Sequence, residues 1–389
     1  MLPDGQFQEN HISEPEGLGA LDGAIGGSGT IGGSPPRSAE GDRSLAPRLR
    51  GVINCAPRAL FISRDSIDSI DCIVIPIKSI RQAAEALKGE IVRTPLIPLP
   101  GYDSERTGRI YLKLEMLQPI GSFKIRGALN ALRATPPEDL SEGIWTASAG
   151  NMAQGAAHVA RSLGIPCTVL TPDTAPEAKR LAIERLQAKV LKVPFDRWWQ
   201  AMEDRFFPGM PGRLLHPFDD DSVMAGNGTI ALEVLEDLPL VDTVFIPWGG
   251  GGLACGIASA FRSLSPSTRL YAAEVSTAAP LAASLAAGSA QKITRVPSFV
   301  DGIGGTAVFP RMFGMARSLL DGSLTATPGE IEEAIRLLVE RTRIVAEGAG
   351  ACPVAVALSR PAPGNTVCIV SGGNIDAAVL ARILRREPD

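Results

Sequence analysis

From about residue 77 onward the chain alternates short apolar or β-branched runs with segments of helical period, a pattern that few architectures accommodate. Strands are expected at 109–115, 143–147, 167–171, 189–193, 243–247, 269–274 and 366–370. Helices are expected at 79–87, 123–134, 152–163, 177–186, 228–236, 254–264, 329–341, 350–359 and 375–385. Strand-helix alternation of this kind implies an α/β fold built on parallel strands with helices on both faces. Ligands in such folds bind beyond the carboxyl ends of the strands, and the glycine-rich segments of this chain fall there.

Of 389 residues, 45% are hydrophobic and 21% charged, enough apolar material for a large core. A net charge of -4 gives no electrostatic case for nucleic acid or an anionic membrane as partner. The six cysteines stand far apart with no CxxC pair, and there are three histidines, so no structural zinc site is expected. Cysteines set in apolar runs, as at Val367-Cys-Ile-Val370, suit buried free thiols and a cytoplasmic location. No apolar run approaches the length of a membrane span. Residues 1–76 differ from the rest: 23–36 is rich in glycine, serine and proline, and the whole stretch is expected to be a disordered extension. Asp4, Glu9, Glu14 and Glu16 argue against reading it as a secretory signal or a mitochondrial transit peptide.

Four loops carry the chemistry. Gly121-Ser-Phe-Lys-Ile-Arg-Gly-Ala128 sets one lysine just ahead of an apolar helical run. A lone lysine there is more often a solvated charge; desolvated, its amine attacks carbonyls. Gly249-Gly-Gly-Gly252 joins a strand to a helix, where consecutive backbone N–H groups and a helix N-terminus suit a phosphate. One glycine would serve a tight turn; four favour the anion. Ser148-Ala-Gly-Asn-Met152 offers amides to a carboxylate and the Asn151 side chain to a phenolic oxygen, or else Ser148 or Asn151 is a plain N-cap. Ser371-Gly-Gly-Asn374 reads equally two ways, with Ser371 facing a ring nitrogen and Asn374 a ligand-site residue or a cap on the last helix. Glu347 either caps a helix or faces the ligand. Trp198-Trp199 reads as a packed surface helix, and Asp219-Asp-Asp221 as turn or helix-start chemistry. A rival reading takes Gly249, Gly251 and Ala254 as a dinucleotide fingerprint with Glu274 as the ribose-binding acid of a nicotinamide oxidoreductase. It leaves Lys124 and the two asparagine loops without a role.

Together and in this order, these segments resemble the pyridoxal-phosphate enzymes of fold type II, closest to the L-threonine/L-serine dehydratase and serine racemase group, over residues 77–389. The resemblance implies a large cofactor-binding domain at 77–142 and 222–389 with a small mobile domain, 143–221, inserted in it. It implies Lys124 as the catalytic, cofactor-bearing residue. Phe123, Asn151, Gly249, Gly250, Gly251, Gly252, Leu253 and Ser371 would complete the cofactor site, and Ser148, Ala149, Gly150, Asn151 and Met152 would hold the substrate carboxylate. His216-Pro-Phe-Asp-Asp220 and Ala225-Gly-Asn-Gly-Thr229 are also similar to family segments. The implied activity is α,β-elimination of an L-β-hydroxy amino acid, threonine or serine by default, to a 2-oxo acid and ammonia. Homo-oligomers are common in the family.

Three departures qualify this. Met152 replaces the family's histidine, which would admit a bulkier substrate such as phenylserine or a hydroxyectoine-pathway intermediate. Ala149 stands where racemases have a catalytic serine, so serine racemisation should be weak. The racemase-type cation would need Glu274 and an acid six residues on, where Pro280 lies, so no metal is expected. A pyridoxal-phosphate-binding protein without turnover is a further alternative.

Overall fold

The computed structural model describes residues 74–104, 108–175 and 177–387; all but the last three residues of the expected extension at 1–76 lie outside them. α1 (Ile77–Leu87) leads into β1 (Leu96–Ser104) and β2 (Gly108–Leu114), and α2 (Lys124–Arg133) follows. The next stretch runs β3 (Ile144–Ala147), α3 (Asn151–Leu163), β4 (Cys167–Pro172), α4 (Glu177–Arg185), β5 (Lys189–Val193), α5 (Phe195–Glu203) and β6 (Arg213–Leu214). α6 (Asp221–Asp237), β7 (Thr243–Pro247), α7 (Gly252–Leu264), β8 (Arg269–Val275), α8 (Pro280–Ala287) and α9 (Pro310–Leu319) come next. The chain closes with β9 (Gly322–Ala326), α10 (Pro328–Thr342), α11 (Gly348–Ser359), β10 (Asn365–Val370) and α12 (Ala377–Arg385).

The strands form two sheets: six strands in the order β1-β2-β10-β7-β8-β9, and four in the order β5-β4-β3-β6. Every pairing is parallel except β1 with β2. Successive side chains of a strand point to opposite faces, and the core follows that period. Val244, Ile246, Val367 and Ile369 pack with α1, α6, α7 and α9 on one side of the large sheet. Phe245, Cys368 and Val370 pack with α10 and α11 on the other. In the small sheet Ile144 and Val169 face α2 and α3, while Trp145 and Leu170 face α5. α2 is therefore shared: Ile125, Ala128 and Leu129 lie in the core of the small sheet although they precede it in sequence.

The expected elements are present, and the differences have physical causes. The sequence pattern gave no strand at β1 because Pro98, Pro100 and Gly101 interrupt it. As an edge strand with a register break between Pro98 and Asp103, it tolerates the missing donors. The helix expected at 228–236 begins seven residues earlier, since Gly226 and Gly228 are not turn residues. A Cβ on Gly226 would lie 2.4 Å from the Arg126 carbonyl oxygen, and one on Gly228 2.8 Å from that of Gly256, so these glycines let α2, α6 and α7 cross closely. Asp220 caps α6 by accepting from the N–H groups of Ser222 and Val223, as helix-start chemistry requires. α8, α9, β6 and β9 were not anticipated. Cys167, Cys255, Cys352 and Cys368 are buried free thiols, whereas Cys55 and Cys72 lie outside the described residues.

Candidate active site

The lysine loop and the Ser371 loop are stitched together by backbone. Phe123 N–H donates to Ser371 O (3.0 Å), Gly373 N–H donates to Gly121 O (2.9 Å), and Ser122 bridges Gly372. Gly121, at φ +70, takes a backbone conformation that side chains resist; a Cβ there would also meet Asn374 Oδ1 at 2.5 Å. Lys124 is thus the first residue of α2, where the helix dipole disfavours a cation. Its Nζ donates to Pro217 O at 2.7 Å and lies 5.2 Å from the Phe123 ring centroid. Burial drives the amine down to about 8, against the opposing pull of the Glu347 charge.

The glycine turn links β7 to α7. Gly251 has φ +96 and a Cβ there would lie 2.5 Å from the Trp248 ring. A Cβ on Gly250 would meet the Phe218 ring at 2.2 Å, and one on Gly252 would meet Phe218 O at 2.6 Å. These glycines carry no side chain of their own over the turn, and Leu253 sends its side chain into the core. Their N–H groups, at the start of a 13-residue helix, form a cradle that fits a phosphate.

The third wall is a chain of amides. Asn374 Nδ2 donates to Ile120 O (2.9 Å) and to Asn151 Oδ1 (2.8 Å), and Asn151 Nδ2 donates to Glu347 Oε1 (2.8 Å). The capping alternatives for these residues fail: Gly150 is the N-cap of α3, and Asp376 caps α12. Glu347 holds the N-cap position of α11, but its side chain makes no capping hydrogen bond and turns to Asn151. Ser371 is buried at the end of β10. Ser148 Oγ accepts from Gly150 N–H, which leaves the loop from Ser148 to Asn151 folded over the N-terminus of α3.

Two expected residues turn their side chains inward. Met152 is 1% exposed, and its side chain packs in the core with Ile120, Ile125 and Ile144 while its amide stands in the first turn of α3. Glu274 is fully buried, and its oxygens accept from the N–H groups of Leu281 and Ala282 at the start of α8 and from Ser323 Oγ. That arrangement leaves it unable to reach a ribose, which removes the dinucleotide reading. It also commits the carboxylate that a cation would need. Trp198 and Trp199 lie on α5, with Trp198 Nε1 bonded to Leu170 O. Asp219 and Asp221 pair with Arg311. Among the described residues there is no cluster of three or more His, Cys, Asp or Glu placed to hold a metal, and no helix long and apolar enough to cross a membrane.

Sequence reasoning missed Pro217, whose carbonyl holds the lysine, and the partners of Arg126. The Arg126 guanidinium, fully buried behind Lys124, binds Glu115 and Glu233, and Lys113 also pairs with Glu233. The charged residues in β2 and α6 were the available signal, but nothing local joins them.

Residues 87–372 match the family described as "Pyridoxal-phosphate dependent enzyme". The L-threonine ammonia-lyase of Geobacter sulfurreducens is 40% identical over 323 residues, covering 80% of this chain and 79% of that protein. A catabolic L-threonine dehydratase of Staphylococcus aureus is 37% identical, covering 80% and 92%. Among solved structures, serine racemase from Dictyostelium discoideum superposes with a TM-score of 0.69 at 32% identity, over 78% of this chain and 99% of that one. The processed threonine deaminase isoform 2 of Solanum lycopersicum gives 0.70 at 29% identity, over 80% and 94%. With a glycine cradle, a desolvated lysine and this parallel architecture in one chain, the protein belongs to the pyridoxal-phosphate-dependent enzymes of fold type II.

Proposed function

We propose that the protein is an ammonia-lyase that eliminates the β-hydroxyl of L-threonine or L-serine and releases a 2-oxo acid and ammonia. The observation that carries this reading is the Lys124 amine, which donates to Pro217 O at 2.7 Å and is tied through Pro217 and Phe218 to the glycine turn. The similarity to threonine ammonia-lyases supports the same reaction.

Lys124 would carry the aldehyde carbon of pyridoxal phosphate. The N–H groups of Gly249, Gly250, Gly251, Gly252 and Leu253 would hold its phosphate, Asn151 its phenolic oxygen and Ser371 its ring nitrogen, with Phe123 flanking the lysine. Bound there, the cofactor supplies a sink for the electron pair left at Cα. The amide groups of Ser148, Ala149, Gly150, Asn151 and Met152 at the start of α3 hold the substrate carboxylate. Lys124, in its neutral form, takes the Cα proton, and Pro217 O and Glu347 stabilise the ammonium that results. Asn374 and Glu347 fix the Asn151 amide and leave one of its N–H bonds for the cofactor. The proton taken from Cα leaves with the β-hydroxyl as water, giving an enamine that takes up one water to yield the 2-oxo acid and ammonia.

The Met152 side chain packs in the core, which supports threonine or serine over a bulkier substrate. We assign 143–221, which contains the whole four-stranded sheet, to a small domain that closes on substrate. The buried free thiols favour the cytoplasm. Self-association, as the resemblance implies, is open to sedimentation. The functional test is a panel of L-threonine, L-serine and phenylserine assayed for ammonia and 2-oxo acid. Equimolar products from threonine or serine are expected; a pyridoxal-phosphate-loaded protein that turns over none of them is a binder, not a lyase.

A further inference from the structure

His216 takes no part in the reaction outlined above, yet it is fully buried beside the site. Its ring meets those of Phe218 and Phe309 edge-on, with centroids 4.7 and 6.0 Å apart. Nδ1 accepts from the N–H groups of Asp219 (2.8 Å) and Phe218 (3.3 Å), so it carries no proton and the neutral ring is protonated at Nε2. Burial, followed by the Arg205 charge, holds the imidazole down at about 4, with Asp219 opposing and Lys124 adding to the effect. A neutral ring that accepts two backbone donors closes the turn from His216 to Asp219.

That turn touches both halves of the cofactor site. Pro217, with its φ fixed by the ring, presents its carbonyl to Lys124 Nζ at 2.7 Å. The next residue, Phe218, lies against Gly250 and Gly252 so closely that neither tolerates a Cβ. We propose that His216 is a positioning residue: as a neutral acceptor it sets where the lysine amine stands relative to the phosphate-binding turn. The inference rests on the reading of Lys124 and Gly249–Gly252 as the cofactor site. Simple filling of space would leave the same ring in the same place, but it predicts a different response to substitution.

His216→Phe keeps an aromatic ring and removes the acceptor. His216→Asn loses volume but returns an acceptor oxygen near the position of Nδ1. The measurements are the dissociation rate of pyridoxal phosphate from the loaded protein and the pH dependence of Lys124 acylation in the cofactor-free protein. Positioning predicts that His216→Phe releases cofactor about tenfold faster and shifts the acylation midpoint, and that His216→Asn stays within about threefold of wild type, since the unsatisfied amides are the costly change. Space filling predicts the reverse order, with Asn the worse variant, and that result overturns the inference. Should either variant fail to fold, nitrogen NMR of wild-type His216 decides: a proton on Nδ1 refutes the acceptor role, and a bare Nδ1 with a protonated Nε2 sustains it. A wild-type protein that binds no pyridoxal phosphate would instead sink the functional reading and leave the His216 tautomer as a separate result.

Discussion

Arg126→Met removes one charge from a cluster whose balance can be counted. The guanidinium donates to both oxygens of Glu115 (2.8 and 2.8 Å) and both oxygens of Glu233 (2.7 and 2.9 Å), and Lys113 donates to Glu233 and to Thr94 O. Two cations face two carboxylates. The variant leaves one cation for two anions, with Glu115 fully buried and retaining only Thr94 and Gln118 as donors. Removing one partner of a buried ion pair costs about 3–5 kcal/mol, a large part of a total that is typically about 5–15 kcal/mol. The double variant Arg126→Met with Glu115→Met restores neutrality through Lys113 and Glu233, and should lose less than about 2 kcal/mol. Urea midpoints of the wild type and both variants measure this. The pH dependence supplies a second signature. Burial pushes the Glu115 carboxyl up, but Arg126, Lys113 and Thr94 outweigh burial and hold it below its usual range. Its wild-type contribution is therefore present above the unfolded carboxylate value and lost as pH falls through the folded one. In Arg126→Met the main counterweight is gone, the carboxyl rises, and protonation relieves the cost. The gap between wild type and variant should then narrow from about pH 8 to about pH 5. A single variant as stable as wild type, or a double variant worse than the single, would refute the counting.

Three other outcomes follow from particular contacts. Gly250→Ala puts a Cβ 2.2 Å from the Phe218 ring, so cofactor affinity should fall by about tenfold or more as the turn shifts by the 1–3 kcal/mol typical of overpacking; unchanged affinity in an equilibrium titration would contradict the cradle. In the cofactor-free protein, acylation of Lys124 should reach half its maximal rate at about pH 8, and a midpoint near the ordinary lysine value would show a solvated amine. Chelators should leave kcat with L-threonine unchanged, because Glu274 already accepts from Leu281, Ala282 and Ser323; a fall that added magnesium or calcium reverses would mean a cation binds after all.

What could be read in the sequence was local, and what could not was tertiary. Strands buried on both faces, such as 243–247 and 366–370, announce themselves as apolar runs, and the glycine turn follows one of them directly. Lys124 stood out because its motif is contiguous. Asn151 and Asn374 read equally as caps or as ligand-site residues, since capping is a common use of asparagine at a helix start. Their partners lie on each other and on Glu347, and no local pattern encodes that. Gly226 and Gly228 obscured the start of α6 for the same reason. A glycine for close helix approach and a glycine for a turn are the same letter, and only the Arg126 carbonyl 2.4 Å from a Gly226 Cβ tells them apart. The resemblance put Met152 beside the substrate, and its local motif could not tell that the side chain packs in the core while the amide stays at the start of α3.

On the proposed reading the Lys124 amine would bear the cofactor while the Gly249–Gly252 amides hold its phosphate. Borohydride reduction of the pyridoxal-phosphate-loaded protein, followed by peptide mass analysis, tests the first half directly. One phosphopyridoxyl group per chain is expected, on the peptide containing Lys124, and none after Lys124→Ala. Label on another lysine, or undiminished label in Lys124→Ala, would contradict it.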